Sequence, residues 1–421
     1  MIKIYTDFDI DSVLNRKIET YSEYEEIVKN IMLDVSKRGD EALFEYGEKF
    51  DGAKLSSLEV TEREISEAEN AVSPEFKRIL STAMENIVFF HKNQLKEGFR
   101  LEKNDGIILG QKYTPIEKVG VYVPGGTANY PSTVLMNVVP AKIAGVKEIC
   151  LVTPVKKDGK IKPEILCAAK MAGATRIFKT GGAQAVAALA YGTQTIPKVD
   201  KIVGPGNIFV ALAKKQVFGQ VGIDMIAGPS EILVVADGNA NPRLVAIDML
   251  SQAEHDKLAT AVLITDSASL ANDVQNEIEI ALEKLERRDI ARLSIDNNGK
   301  IIVTDSLEKA IETANAIAPE HLELCVENPF ESLKKVKNAG SVFLGYNTPE
   351  ALGDYYAGPN HTLPTSGSAR FSSPLSVDDF VKKTSYLYYT PEALNKVKND
   401  VAEFAFREGL EAHGKSVLSR S

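Results

Sequence analysis

The stretch Val119-Gly120-Val121-Tyr122-Val123-Pro124-Gly125-Gly126-Thr127 decides the fold. A short β-branched and aromatic run ends abruptly in a proline–glycine turn. This pattern predicts a buried strand followed by a tight turn. The same arrangement returns at Glu148-Ile149-Cys150-Leu151-Val152, Arg176-Ile177-Phe178, Lys201-Ile202-Val203 and Ile232-Leu233-Val234-Val235, with glycine-rich turns and alanine-rich helical segments between the runs. Such alternation is the pattern of parallel βαβ units. A second series comprises Ala261-Val262-Leu263-Ile264, Ile301-Ile302-Val303-Thr304, Leu322-Glu323-Leu324-Cys325 and Ser341-Val342-Phe343-Leu344. Helical patterns over 242–255, 268–286 and 307–317 separate its members. Two α/β units are therefore expected.

Outside these series the chain reads as helical. From Ser22 to about Lys49, apolar residues recur at Ile27, Ile31, Val35, Leu43 and Tyr46. Thr61 and Glu64 have the spacing of a capping box that opens a second helical region, with a break at Ser73-Pro74. These long helices before residue 100 are expected to cover the second unit. Residues 1–20 read as a short arm. From Ser376 the strand signal fades. Pro391 to His413 reads as one polar helix, with proline at its start and Gly414 just past its end, expected to pack on another body such as a partner subunit.

At 421 residues, two α/β domains plus smaller pieces are the natural expectation. The chain is 44% hydrophobic and 25% charged, the balance of a soluble globular protein. A net charge of −9, with no basic run of useful length, argues against nucleic acid as partner. The opening Met1-Ile2-Lys3-Ile4-Tyr5-Thr6-Asp7 has no apolar signal core, and no stretch approaches the roughly 20 apolar residues of a membrane span. Cys150, Cys167 and Cys325 are widely spaced, as expected of reduced thiols in a cytoplasmic protein.

Four glycine-rich turns follow strands of the first series: Pro124-Gly125-Gly126-Thr127, Thr180-Gly181-Gly182-Ala183-Gln184, Gly204-Pro205-Gly206-Asn207 and Ala227-Gly228-Pro229-Ser230-Glu231. Loops at the carboxyl ends of parallel strands bind ligands in α/β proteins, and glycines let phosphates approach backbone N–H groups. The full G-x-G-x-x-G pattern is absent, so these turns fit ordinary tight turns and a dinucleotide site equally well.

The chain holds five histidines: His91, His255, His321, His361 and His413. His321 stands beside an acid in Ala318-Pro319-Glu320-His321-Leu322-Glu323-Leu324, just before a strand run, which suits a catalytic base near neutral pH. His91, in Phe89-Phe90-His91-Lys92, reads as a surface or packing residue. In Ser251-Gln252-Ala253-Glu254-His255, Gln252 and His255 are three apart and share a helix face. Asp354 and His361 lie in a stretch with little strand or helix character, and His413 follows Glu408 near the end of the last helix. Nitrogen and oxygen ligands without cysteine pairs suit zinc, or a similar divalent ion, in an open catalytic site. Spacing alone does not assign the ligands, and each residue also fits a hydrogen-bonded loop or cap. Cys325 has the opposite parity to Leu322, Leu324 and Val326 and reads as a small packed residue. The competing reading makes it the nucleophile of a metal-free aldehyde dehydrogenase-like enzyme; a non-catalytic metal-binding protein is the alternative from another class.

Taken together, Ser251-Gln252-Ala253-Glu254-His255, Gly181-Gly182-Ala183-Gln184-Ala185, Gly204-Pro205-Gly206-Asn207, Gly228-Pro229-Ser230-Glu231, Pro319-Glu320-His321-Leu322 and Gly353-Asp354-Tyr355 resemble histidinol dehydrogenase, in order, over roughly 20–415. The resemblance implies oxidation of L-histidinol through L-histidinal to L-histidine, the last stage of histidine synthesis, with two NAD reduced. It implies one zinc per site, held by Gln252, His255, Asp354 and His413, and a catalytic pair Glu320 and His321. It further implies substrate contacts from Ser230 and Glu408, with the zinc-site residues and His321 also lining the substrate site, and NAD contacts from Tyr122, Gln184 and Asn207. Family members are homodimers with interlocked tails, so Glu408 and His413 would complete the other subunit's site. The fold implied is two incomplete Rossmann-like (aldehyde dehydrogenase-like) domains: 21–121 with 233–375 as the catalytic domain, 122–232 as the NAD-binding domain, and 376–421 as a dimer-interlocking helical tail. Asp256 stands after His255 where the family more often has glycine.

Overall fold

The computed structural model describes residues 1–9, 22–103, 105–125 and 130–420. Much of the expected arm, and Gly126-Thr127 of the first glycine turn, lie outside the described residues. The strands are β1 (Lys3–Tyr5), β2 (Phe99–Lys103), β3 (Ile107–Pro115), β4 (Lys118–Tyr122), β5 (Glu148–Thr153), β6 (Arg176–Lys179), β7 (Lys201–Val203), β8 (Gly222–Ile223), β9 (Glu231–Ala236), β10 (Thr260–Thr265), β11 (Lys300–Val303), β12 (His321–Cys325), β13 (Ser341–Leu344) and β14 (Val381–Tyr389).

These strands form three sheets. Two are fully parallel: a five-stranded sheet ordered β6-β5-β4-β7-β8 and a six-stranded sheet ordered β1-β11-β10-β9-β12-β13. The expected pair of α/β units is therefore present. Parallel strands are covered on both faces, which is why they read as continuous apolar runs. In the five-stranded sheet Val119, Val121, Ile149 and Leu151 point into one core, while Tyr122, Cys150, Val152 and Phe178 point into the other. In the six-stranded sheet Ile232, Val234 and Cys325 face one side; Leu233, Val235, Leu322 and Leu324 face the other.

The structure departs from the sequence expectation in four places outside the candidate site, and within it Asp354, expected in irregular chain, lies on the short helix Glu350–Tyr355. The helices before residue 100 cover the five-stranded sheet, not the six-stranded one. Val28, Ile31, Met32 and Val35 of Ser22–Arg38 pack with Tyr122 and Phe178, and Ile65, Leu80 and Ile87 of Glu62–Ala71 and Pro74–Lys92 pack with Val119 and Ile149. Their amphipathic stripes fit either sheet, so periodicity could not choose. Second, the start of the arm is the edge strand β1, paired in parallel with β11. Third, β2, β3 and β14 form a small antiparallel sheet that the sequence does not announce, because β14 is largely exposed and carries lysines and tyrosines in place of an apolar face. Fourth, the tail is two helices, Pro391–Arg407 and Glu411–Leu418, broken at Gly409, whose φ of +76° no helix continues. The helix ends themselves follow the sequence: Thr61 and Glu64 form both bonds of the capping box, at 3.3 and 2.8 Å. No described helix is long and apolar enough to cross a membrane.

Asp51 ends the short π-helical turn Gly47–Asp51 beneath the five-stranded sheet, and burial raises its carboxyl to about 6. A carboxyl raised on folding stabilises while protonated. That contribution is present below its ordinary value of 3.8 and is lost as pH rises through about 6. Asp51→Asn is therefore expected to raise the melting temperature more at about pH 8 than at about pH 4.5. Calorimetry at both values checks this; equal shifts would remove the ionisation from the account.

Candidate active site

The acid and histidine residues converge at the amino edge of the six-stranded sheet. Glu320 immediately precedes β12 and His321 is its first residue, opposite Ile232 of β9. Side chains here extend the strand pairing. The backbone N–H of Glu231 donates to Glu320 Oε2 at 2.8 Å, and the Glu231 carbonyl lies 2.9 Å from His321 Nδ1. A carbonyl only accepts, so this contact puts a proton on Nδ1 and leaves Nε2 as the nitrogen free to exchange one.

Parity then brings in the helices. His321 and Glu323 are two apart on β12 and share the face that carries Cys325, against which helix Pro242–Ala253 packs through Met249, Leu250 and Ala253. That helix runs back from the carboxyl end of β9, so its own end delivers Gln252 and His255 to the amino edge. Gln252 is buried, and its Nε2 donates to Glu350 Oε1 at 2.6 Å; Ser251 Oγ donates to Glu350 Oε2 at 3.1 Å. Glu350 and Asp354 are four apart on helix Glu350–Tyr355 and present both carboxylates to one point. His321 Nε2 lies 3.7 Å from Glu350 Oε1 and 3.7 Å from Asp354 Oδ1. His361 Nδ1 is 3.0 Å from the Asp354 carbonyl, which brings this histidine to the cluster as well.

The group is buried and rich in acids. Among the described residues no lysine or arginine bridges Glu320, Glu350 or Asp354; their ionic partners are histidines. Burial raises Glu320 to about 7, against the pull of His321 and the Glu231 N–H. Burial also raises Glu350 to about 8, with Asp354 adding to it. For Asp354 burial is outweighed by His321 and His361, which hold it at about 2. Burial would lower His321, but Glu320, Asp354 and Glu350 carry it to about 10 while no cation balances these carboxylates; a divalent ion held by them would lower it toward the neutral imidazole that a base needs. His361 and His255 are pushed down, chiefly by burial.

The ligand atoms of His321, Glu350 and Asp354 lie within 4.8 Å of one another. Two buried polar atoms beside them, Gln252 Oε1 and His321 Nε2, have no hydrogen-bond partner. An orphaned acceptor, a free imidazole nitrogen and two carboxylates without a basic side chain form a donor set that fits a divalent cation. Of the four expected ligands, Asp354 belongs to this trio and Gln252 touches it. His255 sits half-buried at the turn ending its helix, and His413 is exposed. Glu408 is exposed on the same tail, so neither tail residue reaches the cluster of its own chain. Ser230 directly precedes Glu231 and places its carbonyl 3.0 Å from Thr260 N. Glu350 was not among the expected site residues; its four-residue spacing to Asp354 was the available signal.

Cys325 is buried on the same face, 3.9 Å from Glu323 Oε2. Burial first, then Glu323, pushes its thiol up, away from the thiolate that a nucleophile needs.

The expected dinucleotide residues gather elsewhere, at the carboxyl edge of the five-stranded sheet. Tyr122 ends β4, and its Oη accepts the N–H of Gly182 at 3.1 Å. Gln184 is buried on the helix that starts at Gly182. Asn207 caps helix Ile208–Val217, accepting from Phe209 N at 3.1 Å and Val210 N at 3.3 Å. Two bonds tie the loop after Asp354 to the helices covering this sheet: an exposed one from Asn86 Nδ2 to Tyr356 O at 2.8 Å, and a buried one from Asn360 Nδ2 to Met136 O at 2.6 Å.

A family model for histidinol dehydrogenase matches residues 14–421. The chain is 53% identical to histidinol dehydrogenase of Clostridium acetobutylicum over 426 residues, covering 100% of this chain and 99% of the relative. It is 55% identical to that of Geobacter sulfurreducens over 420 residues, covering 99% and 98%. The crystal structure of histidinol dehydrogenase from Elizabethkingia anophelis superposes with a TM-score of 0.95 at 39% identity, covering 100% of this chain and 98% of that one. With the same sequence signature, the same fold and near-complete coverage in both directions, the chain belongs to the histidinol dehydrogenase family of oxidoreductases.

Proposed function

We propose that the chain oxidises L-histidinol to L-histidinal and then to L-histidine, passing one hydride to each of two NAD, with His321 as the base. The observation that carries this reading is the main chain of Glu231, which fixes Glu320 and His321 together in a buried pocket and leaves His321 Nε2 without a hydrogen bond. In the first step Nε2 takes the hydroxyl proton while the carbinol C–H leaves as hydride. Water then adds to the aldehyde. Glu320, raised toward neutrality by burial, exchanges a proton with that water, and His321 takes a proton again as the hydrate gives up its second hydride. Each oxidation releases one proton and one NADH, so the four electrons balance.

Of that cluster, Gln252 and Asp354 would hold zinc together with His255 and His413 of the partner subunit, leaving His321 Nε2 free to act as base. When bound, zinc supplies a positive template for the imidazole and amino nitrogens of the substrate, which favours this alcohol over others lacking the ring. Glu350 and His361 line the same pocket. Ser230 and Glu408 of the partner subunit contact substrate. The five-stranded domain takes NAD at Tyr122, Gln184 and Asn207, and the protein works as a cytoplasmic homodimer with shared sites.

Three outcomes are expected. His321→Ala should lower kcat by about a thousandfold, the scale of a lost general base, whereas Cys325→Ala should stay within about twofold of wild type. The reverse pattern, with chelators inert, would favour the cysteine mechanism. Protein stripped of metal should form no NADH from L-histidinol, and reloading with zinc should restore about two NADH per substrate consumed; a yield of one would leave the second oxidation elsewhere. Mixing inactive His321→Ala and His413→Ala proteins should recover up to about a quarter of wild-type activity, because each hybrid dimer holds one intact site. No recovery despite demonstrated subunit exchange counts against the shared site.

A further inference from the structure

The turn Gly204-Pro205-Gly206-Asn207 begins where the β7–β8 ladder ends. Asp224 N donates to Ile202 O at 3.3 Å as the final rung. Beyond that rung two charged side chains hold the main chain of Gly204. Its N–H donates to Asp224 Oδ2 at 2.8 Å, and its carbonyl accepts from Lys214 Nζ at 2.9 Å. Lys214 and Asp224 pair with each other, and their side chains are 2% and 1% exposed. Asp224 Oδ1 also accepts from Met225 N at 2.7 Å. Gly204 has a φ of +113°, and a Cβ there would lie 2.1 Å from the Tyr122 carbonyl, so only glycine fits this approach. Lys214 stands on helix Ile208–Val217, whose amino end Asn207 caps. One buried pair therefore joins that helix, the turn and the end of β8.

We propose that Lys214 and Asp224 are positioning residues, holding the Gly204–Asn207 turn in the shape that receives NAD. This rests on the reading that NAD binds at these turns. A buried ion pair is a weak source of stability, because desolvation offsets attraction, and apolar replacements often fold as well. What apolar side chains cannot supply is the two hydrogen bonds to Gly204. Losing them frees the turn, and the dinucleotide must then order it on binding.

The test uses the full-length enzyme with zinc, measuring KM for NAD, KM for L-histidinol, kcat and melting temperature. Lys214→Met or Asp224→Asn alone leaves one buried charge uncompensated, so the informative variant is the double Lys214→Met/Asp224→Asn. It is expected to raise KM for NAD by about tenfold, the scale of one lost charge-assisted hydrogen bond, and to leave KM for L-histidinol within about twofold. Lys214→Arg keeps the charge pair, and with it the fold, while misplacing the donor; a rise in KM for NAD of about threefold is expected. Unchanged KM for NAD in both variants overturns the proposal, as does an equal rise for both substrates, which marks general loosening. Wild-type enzyme that turns over L-histidinol without NAD overturns the underlying reading instead.

Discussion

The main chain of one residue governs the candidate catalytic edge of this protein. Glu231 opens β9, and its N–H and carbonyl hold Glu320 and His321, respectively, of the neighbouring strand. Rigid main chain in the middle of a parallel sheet thereby sets both the orientation of the acid and the tautomer of the histidine. Such orientation by backbone needs no side chain to be ordered on substrate binding, so less binding energy goes into assembling the site. Ala318, just upstream, takes a left-handed φ of 53° to end its helix and turn Pro319-Glu320 into this position. A non-glycine residue is uncommon in that conformation, and here it sits fully buried at the entry to β12.

The rest of the pocket follows from sheet geometry. Strand parity puts His321, Glu323 and Cys325 on one face, and the helix returning from β9 covers that face and brings Gln252 to the edge. Glu323 Oε1 accepts the first helical N–H, that of Glu350, at 2.7 Å, which fixes the helix bearing Glu350 and Asp354. The result is several buried carboxyl groups around few histidines. Carboxylates crowded in a dry pocket respond by holding protons or by holding a cation. The raised Glu320 and Glu350 express the first response, and the unpartnered Gln252 Oε1 is placed for the second.

The two parallel sheets present opposite edges to chemistry. In the five-stranded sheet the glycine turns lie at the carboxyl ends of β4, β6 and β7, the usual place for a ligand in α/β folds. In the six-stranded sheet the acid and histidine cluster lies at the amino ends of β9 and β12. Asn86 and Asn360 connect the two, bonding the loop beyond Asp354 to helices of the five-stranded unit. The cluster is thus anchored on both bodies, and the loop carrying His361 cannot shift without breaking the buried Asn360 hydrogen bond.

The sequence by itself determined the local grammar. Apolar runs long enough for strands, the Thr61–Glu64 cap, the pairing of Glu320 with His321 and the family signature were all legible, because each depends on residues close in the chain. Tertiary structure decided what depends on distance. Amphipathic helices carry no label for the sheet they cover, so those before residue 100 were free to pack on the five-stranded unit. The exposed β14 has no apolar alternation, and only its nine-residue register with β3 makes it a strand. Glu350 joined the site because helix geometry brought it to His321, the place of the candidate His361 against Asp354 was set by its loop, and the Lys214–Asp224 clamp joins residues ten apart in sequence around one glycine. Local propensity writes the elements; the burial of charge, and the hydrogen bonds that burial requires, determine which of them meet.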